Sequence, residues 1–213
     1  MGYMDEMLKQ IEQLRLVPVV KLERSEDAIP VVNALCEGGL PVAEITFRTD
    51  AAEESIRRTA ARFSEVCVGA GTVVNVEQAK RAQDAGAKFI VTPGFSEKVT
   101  GWAIDQKMPI FPGTCTPTEI MLAMEYGLSV VKFFPAEQYG GLKTIKALSA
   151  PFPMMRFMPT GGISAGNLQE YLASDRVIAC GGSWMVRSSV IDQKDFKTIT
   201  EVTARAVMLA KRQ

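Results

Sequence analysis

A single lysine lies inside an apolar run, S-V-V-K-F-F-P, at residues 129–135. Pro135 ends any strand there, because proline cannot donate a ladder hydrogen bond, so Lys132 is predicted near the carboxyl end of that strand. A lysine among apolar neighbours either extends its ammonium group to water or loses hydration, and loss of hydration favours the neutral, nucleophilic amine. Such an amine attacks a ketone to form an imine, which permits carbon–carbon bond cleavage without a metal.

Three polar residues alternate with apolar ones in the run V-A-E-I-T-F-R at residues 42–48. Because side chains alternate between the two faces of a strand, Glu44, Thr46 and Arg48 share one face and are predicted to point into the interior of the fold. The 213 residues include no histidine, which excludes histidine-based catalytic triads and histidine-bound zinc. Glu44 is therefore the best candidate for proton transfer, and Arg48 can bind a substrate carboxylate through two hydrogen bonds.

Hydroxyl groups and glycine pairs follow other strand-like segments. Thr72 and Thr160 can supply hydrogen bonds to a substrate, and glycine pairs stand at 161–162 and 181–182, after the last two predicted strands. In parallel barrels these two turns frequently build a phosphate site, because glycine lets backbone N–H groups approach an anion closely. The pattern predicts a phosphorylated or otherwise anionic small substrate.

Eight strand-like segments alternate with helical segments along the chain. The predicted strands are 16–20, 42–46, 66–70, 89–92, 109–111, 130–134, 155–158 and 177–180. The predicted helices are 4–14, 25–36, one that begins at 50, 75–86, 96–106, 116–127, 141–149, 164–173 and 196–211. The helix starts are predicted from capping residues: Ser25, Asp50 with Glu53, Asn75 with Gln78, and Thr116 with Glu119.

This alternation predicts one α/β domain over residues 1–213, a (β/α)₈ TIM barrel with an extra N-terminal helix. In such barrels the functional residues lie at the carboxyl ends of the strands, where Glu44 and Lys132 are predicted to fall. An open, doubly wound sheet is the alternative, but no G-x-G-x-x-G follows the first strand.

Composition narrows the class of protein further. Lysine plus arginine equal aspartate plus glutamate at 24 each, which gives no reason to expect nucleic acid or a membrane surface as a partner. The acidic start lacks the apolar core of a signal peptide, and no apolar run is long enough to span a membrane. Four widely spaced cysteines are typical of reduced, buried thiols: Cys36, Cys67, Cys115 and Cys180. A cytoplasmic location is expected.

Seven segments together resemble one known family over about residues 17–186. They are E-I-T-F-R-T, G-A-G-T-V, T-P-G, P-G-T-C-T-P-T-E, V-K-F-F-P-A-E, P-T-G-G-I and G-G-S-W. In this order they are similar to the 2-keto-3-deoxy-6-phosphogluconate (KDPG) aldolase and 4-hydroxy-2-oxoglutarate (KHG) aldolase family. The resemblance implies a class I aldolase on a (β/α)₈ barrel, a homotrimer that needs no cofactor or metal and releases pyruvate and glyceraldehyde 3-phosphate.

The resemblance also implies roles for individual residues. Lys132 would form the Schiff base, Glu44 would transfer protons, and Arg48 with Thr72 would bind the carboxylate of pyruvate. Further pocket residues would be Pro93, Phe134 and Thr160, and the phosphate would be held by Gly161, Gly162, Gly181, Gly182 and Ser183. Phe47 and Cys115 depart from the family pattern without removing a catalytic group, and they leave the choice among related substrates open.

Several functions compete at this stage. Within the family the rivals of KDPG are KHG and the epimer 2-keto-3-deoxy-6-phosphogalactonate, and the two glycine pairs favour a phosphorylated substrate. A phosphosugar isomerase or epimerase would use Glu44 as the base and Lys132 only as an electrostatic partner. A protein that binds a phosphorylated ligand without turnover is the third alternative.

Overall fold

Short parallel strands alternate with helices in the computed structural model, which describes residues 3–211. The strands of that part of the chain are β1 Leu16–Val20, β2 Val42–Thr46, β3 Cys67–Gly71, β4 Ile90–Val91, β5 Ile110–Phe111, β6 Gly113–Thr114, β7 Val130–Phe133, β8 Arg156–Pro159 and β9 Cys180–Gly182. The helices are α1 Tyr3–Leu14, α2 Ala28–Glu37, α3 Ala52–Arg62, α4 Val76–Asp84, α5 Glu97–Asp105, α6 Pro117–Glu125, α7 Gly141–Ser149, α8 Leu168–Leu172, α9 Ser188–Asp192 and α10 Phe196–Lys211. None of these helices is long and apolar enough to cross a bilayer.

The strands form a curled parallel sheet. Six strands pair in the order β5-β4-β3-β2-β1-β9, and three more pair in the order β6-β7-β8. Two isolated parallel bridges join β8 to β9. Phe157 of β8 bridges Val177, which precedes β9, and Thr160, which follows β8, bridges Gly181 of β9. The sequence-based prediction of an α/β fold with parallel strands is confirmed.

The interior is apolar because both faces of the sheet are covered. Every residue of β2 and β3 is buried, because one face of these strands packs against helices and the other faces the inside of the curled sheet. Aromatic rings fill the centre, and Phe89 meets Phe111 edge to face with 5.9 Å between ring centroids. A buried charged residue in this interior therefore needs a specific explanation.

Two helix starts have the predicted caps, and a third is capped by a serine that was not predicted as a cap. The Asn75 side chain accepts a hydrogen bond from the Gln78 N–H at 2.8 Å, ahead of α4. Thr116 and Glu119 form a reciprocal capping box at α6, with Pro117 in the first helical position. The Ser96 side chain caps α5. These caps start the helices directly after the loops that follow β3, β4 and β6.

Two predicted caps are wrong. A 3₁₀ turn at Ser25–Asp27 precedes α2, and neither it nor α2 has a side-chain cap. The Asp27 carboxylate is instead bound by Arg24 and Lys194, which takes it away from the helix start. The helix predicted from Asp50 begins at Ala52, after an uncapped Ala51.

The helix predicted over 164–173 is shorter than expected, and α8 covers only Leu168–Leu172. The side chain of Asn167 accepts a hydrogen bond from the Ser164 N–H at 2.8 Å and donates one to the Gly162 carbonyl at 3.1 Å. Asparagine side chains compete with helix hydrogen bonds in this way, so residues 164–167 form a turn. The turn keeps the backbone after Gly162 at the end of the sheet where β8 finishes.

Candidate active site

Lys132 and Glu44 meet inside the sheet. Lys132 lies on β7 and Glu44 on β2, and the Lys132 Nζ donates a hydrogen bond to Glu44 Oε1 at 3.5 Å. The side chains are 6% and 0% exposed. The sequence placed both residues on interior faces of different strands, and the structure brings them into contact. A buried amine beside a buried carboxylate is an arrangement that can exchange a proton with a bound molecule.

The surroundings of this pair leave one hydrogen-bonding position open. Glu44 Oε2 is buried and has no hydrogen-bond partner within residues 3–211. The Lys132 Nζ lies 5.0 Å from the centroid of the Phe134 ring, a distance at which the ring attracts a cation. An unsatisfied buried carboxylate oxygen is costly to a fold and is typical of a site that binds a ligand.

The strand beside β2 is shaped to accommodate Glu44. A Cβ atom added to Gly71 on β3 would lie 2.2 Å from Glu44 Oε1, so the carboxylate occupies space that only glycine leaves free. The next residue, Thr72, has φ 55°, the left-handed region that β-branched residues rarely adopt. Backbone strain of this kind clusters at functional sites, and it stands where a hydroxyl was predicted to contact substrate.

Arg48 is oriented by a residue that was not predicted as part of the site. The Thr46 hydroxyl donates to the Val20 carbonyl at 2.9 Å and accepts from Arg48 Nε at 3.0 Å. In the described part of the chain no carboxylate pairs with Arg48, so its two terminal nitrogens are available to an anion. The alternation that placed Glu44 and Arg48 on one strand face also placed Thr46 there. The position of Thr46 between these two residues was the sequence signal that it belongs to the site.

Thr160 offers a second unpartnered polar group. It is 5% exposed, and its hydroxyl has no hydrogen-bond partner among the described residues. Gly181 of β9 packs directly against it, since a Cβ at that glycine would lie 2.2 Å from Thr160 Oγ1. The hydroxyl therefore stays near the ends of β8 and β9, free to bond to a ligand.

The turn at Gly161 and Gly162 is held by its neighbours. Both glycines have positive φ, 100° and 80°. The Glu137 N–H donates to the Gly161 carbonyl at 3.1 Å, and the Glu137 side chain fills the place of a Gly162 Cβ. The Tyr171 hydroxyl donates to Glu137 Oε1, and burial together with this carboxylate raises the pKa of Tyr171. Glu137, in V-K-F-F-P-A-E, thus supports the turn.

Pro93 and Gly182 pack against neighbouring elements. The carbonyl of Pro93 lies 2.3 Å from the place of a Cβ on Gly113, and Gly113 pairs in register with Lys132. Pro93 is therefore one strand away from Lys132. On β9, the Trp184 ring covers Gly182, with a ring carbon 1.9 Å from the position that an added Cβ atom would take.

An open cleft of about 480 Å³ lies at the carboxyl ends of β1, β2 and β9. It is lined by Val19, Lys21, Arg48, Gly162, Ile163, Ser183, Trp184, Val186, Arg187 and Ser188. Of the residues predicted to hold phosphate, Gly162 and Ser183 line it, whereas Gly161, Gly181 and Gly182 do not. Lys132 and Glu44 do not line it either, but Glu44 pairs in register with Val19, which does.

Two cations in this cleft were not singled out from the sequence. Lys21 directly follows β1, and Arg187 directly precedes α9. Their positions just beyond the ends of strands or loops were the only sequence signal for a role in the site. Exposed lysine and arginine residues are common at such positions, so this signal does not single them out. The cleft therefore combines three cationic side chains with backbone from two glycine-containing turns.

Comparison with known proteins identifies the family. The family model described as KDPG and KHG aldolase matches residues 6–202. A 2-dehydro-3-deoxy-phosphogluconate aldolase from Treponema pallidum is 47% identical over 203 residues, which cover 95% of this chain and 97% of the relative.

Solved structures agree in fold over almost the whole chain. The KDPG aldolase of Legionella pneumophila, with pyruvate captured at low pH as a covalent carbinolamine intermediate, superposes with a TM-score of 0.91 at 34% identity and covers 94% of this chain and 97% of its own. The 2-keto-3-deoxy-6-phosphogluconate aldolase of Zymomonas mobilis with 3-phosphoglycerate also gives 0.91, at 35% identity, covering 97% of both chains. With its buried lysine–carboxylate pair and these relatives, the chain belongs to the KDPG and KHG aldolase family.

Proposed function

We propose that this protein is a class I aldolase that cleaves KDPG into pyruvate and glyceraldehyde 3-phosphate. The observation that carries the proposal is the buried contact of 3.5 Å between Lys132 Nζ and Glu44 Oε1. A nucleophilic amine and a proton-transfer group are the two parts that imine chemistry needs, and they need no metal or cofactor. Membership of the family supports the same reaction.

Lys132 and Glu44 divide the chemical steps between them. The Lys132 Nζ passes a proton to Glu44 and attacks the C2 ketone as a neutral amine. Glu44 returns this proton to the hydroxyl that leaves as water, so the carbinolamine becomes a protonated imine. The resulting carboxylate removes the proton of the C4 hydroxyl, the C3–C4 bond breaks, and its electron pair moves toward the imine nitrogen. Glyceraldehyde 3-phosphate leaves, the enamine is protonated at C3, and hydrolysis releases pyruvate and the free amine.

The carboxylate end of the substrate is assigned to Arg48 and Thr72. Arg48 lies four residues beyond Glu44 on the same strand face, is oriented by Thr46, and has no carboxylate partner in the part of the chain that the structure describes. Thr72 directly follows Gly71, which packs against Glu44. Phe134, Pro93 and Thr160 complete the pocket, and the free Thr160 hydroxyl supports a hydrogen bond to substrate.

The phosphate end is assigned to the two glycine turns. Gly162 and Ser183 line the open cleft and can present backbone N–H groups to an anion. Gly161 shapes the first turn through its positive φ, and Gly181 and Gly182 end β9 directly before Ser183. Among family substrates this favours KDPG over KHG, which lacks a phosphate. The 6-phosphogalactonate epimer would fit the same description, and kcat/KM values on the three substrates distinguish them.

Trapping with pyruvate and borohydride tests the imine. Pyruvate should form an imine with Lys132, and borohydride should reduce it to a permanent adduct that peptide mass mapping locates on that residue. Lys132→Arg keeps the charge and cannot form the imine, so it should give no adduct. Lys88→Arg is a matched control, because Lys88 precedes β4 and its Nζ donates hydrogen bonds to the carbonyls of Ser64 and Val66. This variant should still give the adduct on Lys132. An adduct that does not depend on Lys132 would refute the mechanism.

The two sheets are proposed to close into one (β/α)₈ barrel. One residue, Pro112, separates β5 from β6, and the bridges between β8 and β9 join the other edges. If β5 and β6 count as one bent strand, β2 and β7 have three strands between them on either side. The two strands would then lie on opposite sides of the barrel, so Glu44 and Lys132 can meet across its interior.

A homotrimer is proposed for the assembly. Met121 and Met124 of α6 are 53% and 47% exposed and lie three residues apart on one helix face, which supports a contact between copies of the chain. Light scattering coupled to size exclusion should give three times the mass of the 23.2 kDa chain. A monomer at micromolar concentration would contradict this assembly.

A further inference from the structure

The open cleft concentrates positive charge in a chain whose formal net charge is zero. Lys21, Arg48 and Arg187 line it, and no carboxylate does. The three cations come from neighbouring strands, because β1 pairs with β2 on one side and with β9 on the other. Lys21 follows β1, Arg48 follows β2, and Arg187 lies between β9 and α9.

Neither Lys21 nor Arg187 forms a buried ion pair or hydrogen bond that would hold its side chain in place, within the described residues. Within residues 3–211 the Arg187 guanidinium makes no hydrogen bond and no ion pair. Lys21 pairs with Glu23 at 2.6 Å, but the two side chains are 39% and 57% exposed. Exposed pairs of this kind contribute little to stability, so an anion with two negative charges can compete with Glu23 for Lys21.

These cations lie next to the proposed phosphate turns. Gly162 and Ser183 share the cleft with Lys21 and Arg187. Backbone N–H groups bind any suitably shaped oxyanion, whereas full positive charges favour a dianionic phosphate over a singly charged carboxylate. Selectivity between these two end groups therefore requires charged side chains in addition to the glycines.

We propose that Lys21 and Arg187 are specificity-determining residues that bind the phosphate of the substrate and set the preference for phosphorylated 2-keto acids over dicarboxylates such as KHG. The proposal rests on the aldolase function given above. It assigns to Arg48 the carboxylate next to the reacting ketone, and to Lys21 and Arg187 the opposite end of the same substrate.

The test uses the double variant Lys21→Met, Arg187→Met, which keeps long side chains and removes both charges. Its kcat/KM for KDPG should fall about 10- to 100-fold, the scale of one or two charge-assisted hydrogen bonds. The rate of borohydride trapping with pyruvate, which has no phosphate, should stay within about twofold of the wild type. Turnover of KHG should change equally little, so the ratio of the two kcat/KM values falls.

A second double variant controls for net charge. Lys98→Met, Arg62→Met removes the same two charges from exposed positions outside the cleft. Its kcat/KM for KDPG should stay within about twofold of the wild type at physiological salt, where distant surface charges are screened. An equal loss in both double variants would overturn the assignment.

The remaining outcomes separate the two proposals. If trapping marks Lys132 in the wild type but the cleft variant loses KDPG and KHG activity equally, or loses neither, the role of Lys21 and Arg187 is refuted and the aldolase function stands. If the wild type is not trapped at Lys132, the aldolase function itself fails, and this inference fails with it.

Glu23→Gln gives a prediction of opposite sign. It removes the carboxylate that competes for Lys21, so kcat/KM for KDPG should rise, by no more than about fivefold for an exposed pair. The rise should vanish when Lys21→Met is added. A decrease in Glu23→Gln would contradict competition between Glu23 and the phosphate.

Discussion

Glu44 has one oxygen bound to Lys132 and one oxygen without a partner in the described chain, which makes it the residue whose chemistry is most directly testable. Glu44→Gln keeps the shape but cannot accept a proton, so kcat should fall about 10²- to 10⁴-fold, the scale for a general acid–base group. Glu170→Gln, on the exposed side of α8, is the control and should keep full turnover. Unchanged kcat in Glu44→Gln would mean that another group moves the proton.

Gly71 controls where that carboxylate lies. Gly71→Ala would place a methyl group 2.2 Å from Glu44 Oε1 and must displace it, so kcat should fall by at least about 100-fold, as misplacement of a catalytic group by about 1 Å can. The control is Gly101→Ala on α5, where an added Cβ comes no closer than 3.6 Å to Tyr126. It should keep activity and gain about 0.5–1 kcal/mol of stability. Equal activity of the two variants would show that Glu44 tolerates displacement.

At the residue scale the sequence was informative where a polar residue interrupts an apolar strand. Lys132 and Glu44 could be predicted because burial of a charge is rare and therefore diagnostic. Lys21 and Arg187 could not, because exposed cations beyond strand ends occur in most proteins. The left-handed backbone of Thr72 could not be predicted either, since no residue type in G-A-G-T indicates a threonine with φ 55°.

At the element scale, Asp27 connects the 3₁₀ turn to the loop between α9 and α10. It is 2% exposed and accepts hydrogen bonds from Arg24 Nε at 3.0 Å and from Lys194 Nζ. Burial opposes ionisation of Asp27, but the hydrogen bonds from Lys194 and Arg24 outweigh it and lower the pKa of the carboxyl. Capping patterns predicted the starts of α4 and α6 correctly, but this long-range contact is not encoded locally.

Asp27→Asn should lower the free energy of unfolding at pH 7 by about 1–3 kcal/mol, the range for loss of a buried, charge-assisted hydrogen-bond partner. Because the pKa is lower in the folded state, the carboxylate stabilises the fold above its unfolded pKa of about 4 and loses this effect as pH falls through the folded value. Urea unfolding from pH 7 to pH 3 should therefore show the two proteins converging at acid pH. Asp84→Asn, exposed at the end of α4, should follow the wild type, and a constant difference between Asp27→Asn and the wild type would contradict the linkage.

At the scale of the whole molecule, a single domain over residues 1–213 stays a prediction that unfolding can test. Trp102 lies on α5 and Trp184 follows β9, so they report on distant parts of the sheet. Trp102→Phe and Trp184→Phe each leave one reporter. In a two-state domain the fluorescence and circular dichroism midpoints should coincide within each variant. Separate transitions would indicate two units.

The alternation of strands and helices made the architecture predictable from sequence, because each buried segment needs a cover and parallel strands need crossovers. The two-residue strands β4, β5 and β6 were harder, since the sequence shows one apolar run where the structure has a break at Pro112. The proposed closure of the sheet depends on pairing between distant segments, such as Thr160 with Gly181, which no local pattern specifies.

The left-handed backbone of Thr72 sets a limit on how this protein can be made more heat-resistant. A non-glycine residue in that region costs about 1–2 kcal/mol, so Thr72→Gly should relieve strain while deleting the hydroxyl proposed to hold the pyruvate carboxylate. A selection for thermal tolerance alone should therefore accept glycine at this position, and a selection for turnover should restore threonine. Sequences of evolved variants would show which pressure governs the loop after β3.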